Sequence, residues 1–106
     1  MQEKLMRETV LETARNVITV EREGQYGTPA DNFGLIASFW TEYLGLEITA
    51  HDVSIMMALL KLARIRTGGF NLDNYIDTCG YVALGAELGK PIAKVKPVVL
   101  VQKGDC

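Results

Sequence analysis

The chain has 106 residues, 48% of them apolar and 23% charged, and eleven Lys and Arg against thirteen Asp and Glu give a formal charge of -2. This composition suits one globular domain and excludes a disordered or collagen-like chain. The acidic balance speaks against a dedicated duplex binder, which needs excess cations to release counterions, but leaves room for a local basic pocket that holds one small anion.

The first predicted element is a helix over Gln2–Glu23. Leu5, Met6, Thr9, Val10, Thr13, Ala14, Val17 and Val20 recur at helical spacing, and Gly24 is a plausible stop. A tight loop, Gly24-Gln-Tyr-Gly-Thr-Pro29, follows. Thr28 suits an N-cap, Pro29 the first helical position and Asp31 the positive helix start. They predict a second helix over Ala30–Leu44, with Phe33, Ile36, Ala37, Trp40 and Leu44 on one face and Gly45 as its end.

Thr49-Ala-His-Asp52 reads as a capping box that opens a third helix over Ala50–Arg66. This helix is apolar on nearly all sides, as a helix in the middle of a bundle is, and Gly68-Gly69 breaks it. A fourth helix is predicted over Leu72–Leu88, stopped by Gly89 and Pro91. Its small residues Gly80, Ala83, Gly85 and Ala86 permit close helix approach. The expected fold is an all-α four-helix bundle over residues 1–89. Residues 90–106 form a β-prone tail, either a strand that pairs with another subunit or a loose arm.

Cys79 and Cys106 are too few for a disulfide framework and lack metal-ligand spacing, so a reduced cytoplasmic setting is expected. Gln2, Glu3, Lys4, Arg7 and Glu8 interrupt any early apolar run of the signal-peptide kind. The longest apolar stretch, 55–60, is far short of a membrane span, so no membrane partner is expected. The single histidine, His51, is expected at the surface, and no zinc site is expected. No serine or cysteine has a histidine partner suggested by the sequence, and there is no glycine-rich phosphate loop.

Three features do not fit a plain bundle. Lys61 lies in an apolar helix and must reach water, a carboxylate or a ligand, with Arg64 three residues on. The two are either snorkelling side chains or a cationic pair for phosphate or carboxylate. Asp73, Asp77 and Tyr81 form an i, i+4, i+8 row on the fourth helix. Asp77 either pairs with Lys61 or Arg64, or holds a metal or a ribose hydroxyl. Asp73 also suits dipole compensation at the helix start. Tyr26, between glycines, either stacks on a base or lies as a lid over the core. Asn32 serves local capping or reads a base edge.

Three segments carry a family resemblance: Arg22-Glu-Gly-Gln-Tyr-Gly-Thr-Pro-Ala-Asp-Asn-Phe33, Asp52-Val-Ser-Ile-Met-Met-Ala-Leu-Leu-Lys-Leu-Ala-Arg64 and Asp73-Asn-Tyr-Ile-Asp-Thr-Cys-Gly-Tyr81. Together they resemble a family of small phage-encoded helical proteins of unassigned activity, similar to the nucleotide-modification-associated domains of phage genomes. The resemblance spans residues 21–88 and implies motif positions at Tyr26, Gly27, Asn32, Lys61, Arg64, Asp73, Asp77 and Tyr81. A more distant likeness is to the all-α nucleoside triphosphate pyrophosphohydrolases of the MazG and dimeric dUTPase type. These hold magnesium with a Glu-Glu-x-x-Glu and a Glu-x-x-Asp helix. Here Asn74-x-x-Asp77 stands in for the second motif and nothing matches the first, Glu42 being alone on its helix.

The leading expectation is a phage-type nucleotide-binding protein that sequesters a nucleotide-derived immune signal without turnover, an anti-defence role in the host cytoplasm. Its ligand residues would be Tyr26, Asn32, Lys61, Arg64, Asp73, Asp77 and Tyr81, with no catalytic residue, metal or cofactor. One alternative is a magnesium-dependent pyrophosphohydrolase, in which Asp73 and Asp77 converge with Glu42 or Asp52. The other is a structural or regulatory oligomer. Self-association is expected in any case, because one layer of four helices leaves part of the third helix uncovered.

Overall fold

Caps written in the sequence set most of the helix ends. The computed structural model describes residues 3–21, 24 and 26–89. The β-prone tail expected at 90–106 lies outside the described residues. The chain is an all-α four-helix bundle with helices α1 (Met6–Asn16), α2 (Pro29–Leu44), α3 (Ala50–Thr67) and α4 (Leu72–Leu88), and no strand occurs among the described residues.

Thr28 caps α2 by accepting from the Asp31 N–H at 3.2 Å, with Pro29 in the first turn. Gly45 ends α2 with a φ of 72°, a left-handed turn that glycine takes without Cβ strain. The Thr41 hydroxyl then spans the connection. It accepts from the Ile48 N–H at 2.8 Å and donates to the Ile48 carbonyl at 3.2 Å. The α3 cap is the expected reciprocal box: Thr49 accepts from the Asp52 N–H at 3.1 Å, and Asp52 accepts from the Thr49 N–H at 2.9 Å. Asn71 caps α4 by accepting from the Asp73 N–H at 3.0 Å.

Thr49→Ala is expected to lose about 1 kcal/mol of stability, read as a lower urea midpoint with an unchanged slope. The backbone hydrogen bond from Thr49 holds the Asp52 carboxyl below its ordinary value. Asp52 therefore adds stability in full above the ordinary Asp range, and that stability is lost as pH falls through the depressed folded value.

The first helix differs from expectation at both ends. It starts at Met6, where the Glu8 carboxylate accepts from the Leu5 N–H at 3.2 Å, and its α-helical part stops at Asn16. A π-helical turn, Val17–Glu21, takes over. The side chains along α1 and this turn meet α4 in the same order along both helices. Met6 to Leu11 lie near Leu72 to Cys79, and Ala14 to Ile18 near Ile76 to Leu84, so α1 lies parallel to α4.

Phe33 and Ala37 of α2, Val53 of α3 and Leu84 of α4 form the buried core, with Ile18, Trp40, Met57 and Tyr81 among the residues packed around it. The broadest helix contact joins α3 and α4. There the fully buried Ser54 hydroxyl donates to the Tyr81 carbonyl, and Gly85 lies so close that a Cβ on it would be 3.0 Å from the Ser54 Oγ. His51 is half-buried, its ring against Gly89, rather than fully at the surface. Helix α3 buries Val53, Ser54 and Ala58, whereas Met56, Leu59, Leu60 and Leu62 stay exposed.

Candidate functional site

A cleft of about 320 Å³ opens where α2, α3 and α4 meet the segment before α2, lined by Tyr26, Asn32, Phe33, Ile36, Met57 and Tyr81; Gly24 and Tyr26 in that segment are helical rather than part of the loop expected there. Its size is at the lower end of small-molecule pockets, which run from roughly 300 to 1,000 Å³. The local sequence explains its walls. Gly27 takes a φ of 80°, a conformation open to glycine, and carries the chain from Tyr26 into the Thr28 cap. The cap and Pro29 fix the phase of α2, so that Phe33 enters the core while its neighbour Asn32 is half-buried at the cleft. The Phe33 and Tyr81 rings lie 6.2 Å apart at 33°, forming the aromatic floor.

One helical turn from the cleft, the Lys61 ammonium and the Asp77 carboxylate form an ion pair at 2.9 Å, their side chains 14% and 34% exposed. Lys61 follows Met57 by four residues on α3, and Asp77 precedes Tyr81 by four on α4. Both ions are therefore joined to the cleft walls by the helix repeat. Asp77 also borders a cavity of about 60 Å³ between α4 and the end of α1, with Ile18, Gly80 and Tyr81 among its walls.

The structure thus gathers five of the seven expected ligand residues: Tyr26, Asn32 and Tyr81 line the cleft, and Lys61 and Asp77 pair beside it. Arg64 and Asp73 are exposed and line none of the clefts described. Asp73 occupies the first turn of α4, where a carboxylate complements the helix dipole. Three wall residues went unremarked as ligand contacts in the sequence: Phe33, which the sequence marks as core, and Ile36 and Met57. The signal that finds the last two is spacing: Ile36 follows Asn32 by four residues and Met57 precedes Lys61 by four.

Among the described residues, no group of three or more His, Cys, Asp or Glu side chains is placed to hold a metal ion. Glu42 lies with Glu47 along a shallow groove at the α2–α3 connection, a different opening from the cleft. No helix of the described residues is long and apolar enough to cross a membrane.

The fold and cleft define a small all-helical bundle with an aromatic, amide-bearing pocket beside a half-buried ion pair. Residues 9–89 match the family model described as a domain of unknown function (DUF6378), and the chain belongs to that family. It is 41% identical over 76 residues to the Gene 55 protein of Mycobacterium phage D29, an alignment that covers 72% of this chain and 50% of the relative. It is 36% identical over 84 residues to the Gene 55 protein of Mycobacterium phage L5, covering 78% of this chain and 54% of the relative. The chain spans about half the length of these relatives. No solved structure matches. The kinship with phage proteins agrees with the resemblance carried by the three sequence segments, while the likeness to pyrophosphohydrolases finds no counterpart among these relatives.

Proposed function

We propose that the cleft binds a phosphate-bearing nucleotide derivative and releases it unchanged, so that the protein acts by sequestration. The observation that carries this reading is the meeting of two tyrosines and an asparagine around one cleft, one turn from an ammonium–carboxylate pair. A base would stack on Tyr26 and Tyr81, and the Asn32 amide would read its edge. Lys61 would exchange its contact with Asp77 for a phosphate oxygen. Asp77 or Asp73 would then accept from a ribose hydroxyl or base amine. Arg64, on the exposed side of the same helix, would reach the phosphate from outside the cleft. A phage product of this kind would work in the host cytoplasm against a nucleotide-derived immune signal, as a self-associated protein.

The second reading is a structural oligomer. The ion pair itself favours it, because a Lys61 already matched by Asp77 needs no ligand. One assay separates these readings from each other and from a pyrophosphohydrolase. The protein is incubated with nucleoside triphosphates and with cyclic and ADP-ribose-type nucleotides, with and without magnesium, and the mixture is resolved by chromatography. The expected result is a bound nucleotide recovered intact, with affinity about 10-fold weaker in Tyr26→Ala, in line with the roughly 1–3 kcal/mol of one base stack. An altered nucleotide recovered over many turnovers would replace sequestration by hydrolysis. A panel with no binding leaves the structural reading.

A further inference from the structure

We propose that α3 pairs with α3 of a second copy of this chain, antiparallel about a two-fold axis near Leu59, and that the exposed flank of α2 widens the interface. This rests on the reading that the chain self-associates, and it assigns the surface.

Asp52, Met56, Leu59, Ala63 and Arg66 follow one another at spacings of four, three, four and three residues. Met56, Leu59 and Ala63 give this stripe an apolar middle at the spacing of a helix–helix seam, between two charged ends. The seam lies opposite the part of α3 that covers the core, where Ser54 and Ala58 are buried. Its central side chain, Leu59, is 57% exposed in the single chain. Ala63, one turn on, is small enough for a close crossing.

The apolar surface continues from α3 onto α2. Trp40, Tyr43, Leu44 and Met56 share an apolar cleft of about 210 Å³ that joins the two helices. Beyond it Leu35, Phe39 and Tyr43 form an i, i+4, i+8 row, with Phe39 64% and Tyr43 88% exposed. Taken with the seam, this surface joins exposed apolar side chains of two helices into one patch.

Charge selects a second copy and its direction. The seam is acidic at its N-terminal end, at Asp52, and basic at its C-terminal end, at Arg66; Leu59 lies midway. An antiparallel two-fold pairing brings each Asp52 towards Arg66 of the other copy and opposes the helix dipoles. A parallel pairing would set like charge against like.

The test uses the full chain. Sedimentation equilibrium at micromolar concentration should show a dimer. Leu59→Lys should weaken association about 100-fold or more, since both copies lose a central anchor, with an unchanged helical circular dichroism signal and melting profile of the protomer. In a Cys79→Ser, Cys106→Ser background, Leu59→Cys should form an interchain disulfide on mild oxidation, because a residue near the axis meets its own copy within bonding reach. Leu11→Cys, exposed on α1, serves as the control and should not cross-link. A monomeric parent protein would overturn self-association altogether. A parent dimer that tolerates Leu59→Lys, with Leu59→Cys cross-linking no faster than the control, would overturn this surface and leave self-association standing.

Discussion

Asp77→Ala is expected to lower stability by about 2 kcal/mol, whereas Lys61→Met should cost well under half of that. The asymmetry comes from burial. Removing Asp77 strands an ammonium whose side chain is 14% exposed, whereas removing Lys61 strands a carboxylate that is 34% exposed and keeps part of its hydration. Breaking a fully buried pair costs roughly 3–5 kcal/mol, and the water at Asp77 brings this one below that range. Methionine also keeps the length of the Lys61 stem and its apolar packing on α3. Urea denaturation at neutral pH reads both losses as midpoint shifts at constant slope. Equal losses would mean that the two ions are equally desolvated. The comparison also bears on function, because Lys61→Met keeps the fold while removing the charge that a phosphate ligand would need. A variant with near-parental stability and parental nucleotide affinity would take Lys61 out of the proposed ligand set.

How much of this arrangement could be read from the sequence depended on whether a local chemical signal marked each point. Thr28-Pro29, Thr49 with Asp52, and Asn71 each satisfy backbone donors at a helix start, and α2, α3 and α4 begin where those residues stand. The first helix had no such marker. Leu5 offers no side-chain oxygen, so the helix begins later than its apolar period suggests. At its other end the period runs on, but the backbone changes. Val17, Ile18 and Thr19 are β-branched, a class of side chain that loses freedom against the preceding turn of a helix. The Thr19 hydroxyl also donates to the Arg15 carbonyl at 2.7 Å and so shares an acceptor of the helical backbone. A π-helical turn follows.

The site was legible to the same degree. A cation in an apolar helix must reach water, a carboxylate or a ligand, and the i, i+4 row on α4 offered Asp77 as one such partner; the structure pairs the two. The position of Arg64 did not follow. A step of three residues turns the helix by about 300°, or 60° short of a full turn. This is enough to carry Arg64 from the α4 side of α3 to its exposed side. Which of those sides α4 covers is set by the crossing of two helices, and no single helix period records that. The same limit applies to the cleft. Its walls come from α2, α3, α4 and Tyr26 ahead of α2, and only their mutual placement makes a pocket of them.

That placement depends on close approach between α3 and α4, so Gly85→Leu is expected to lose about 3 kcal/mol, while Gly85→Ala should be close to neutral. A Cβ at Gly85 would lie 3.0 Å from the Ser54 Oγ and 3.1 Å from the Ile55 Cδ1. For alanine, these side chains need to yield only a few tenths of an ångström. The gain in helix propensity over glycine, about 1 kcal/mol, offsets that strain. For leucine, three further carbons enter a seam where Ser54 is fully buried and α3 and α4 make their broadest contact. Overpacking of that kind costs roughly 1–3 kcal/mol. Displacing Ser54 also breaks its hydrogen bond to the Tyr81 carbonyl, worth about 1 kcal/mol more. Because Tyr81 is a wall of the cleft, the proposed nucleotide binding would be lost in Gly85→Leu at lower temperatures than in the parent protein. Thermal unfolding of the two variants, followed by circular dichroism, would show a lowered midpoint for leucine alone. A leucine variant as stable as the alanine one would mean that α3 and α4 can separate at Gly85 without loss, and that their contact is not what fixes the cleft.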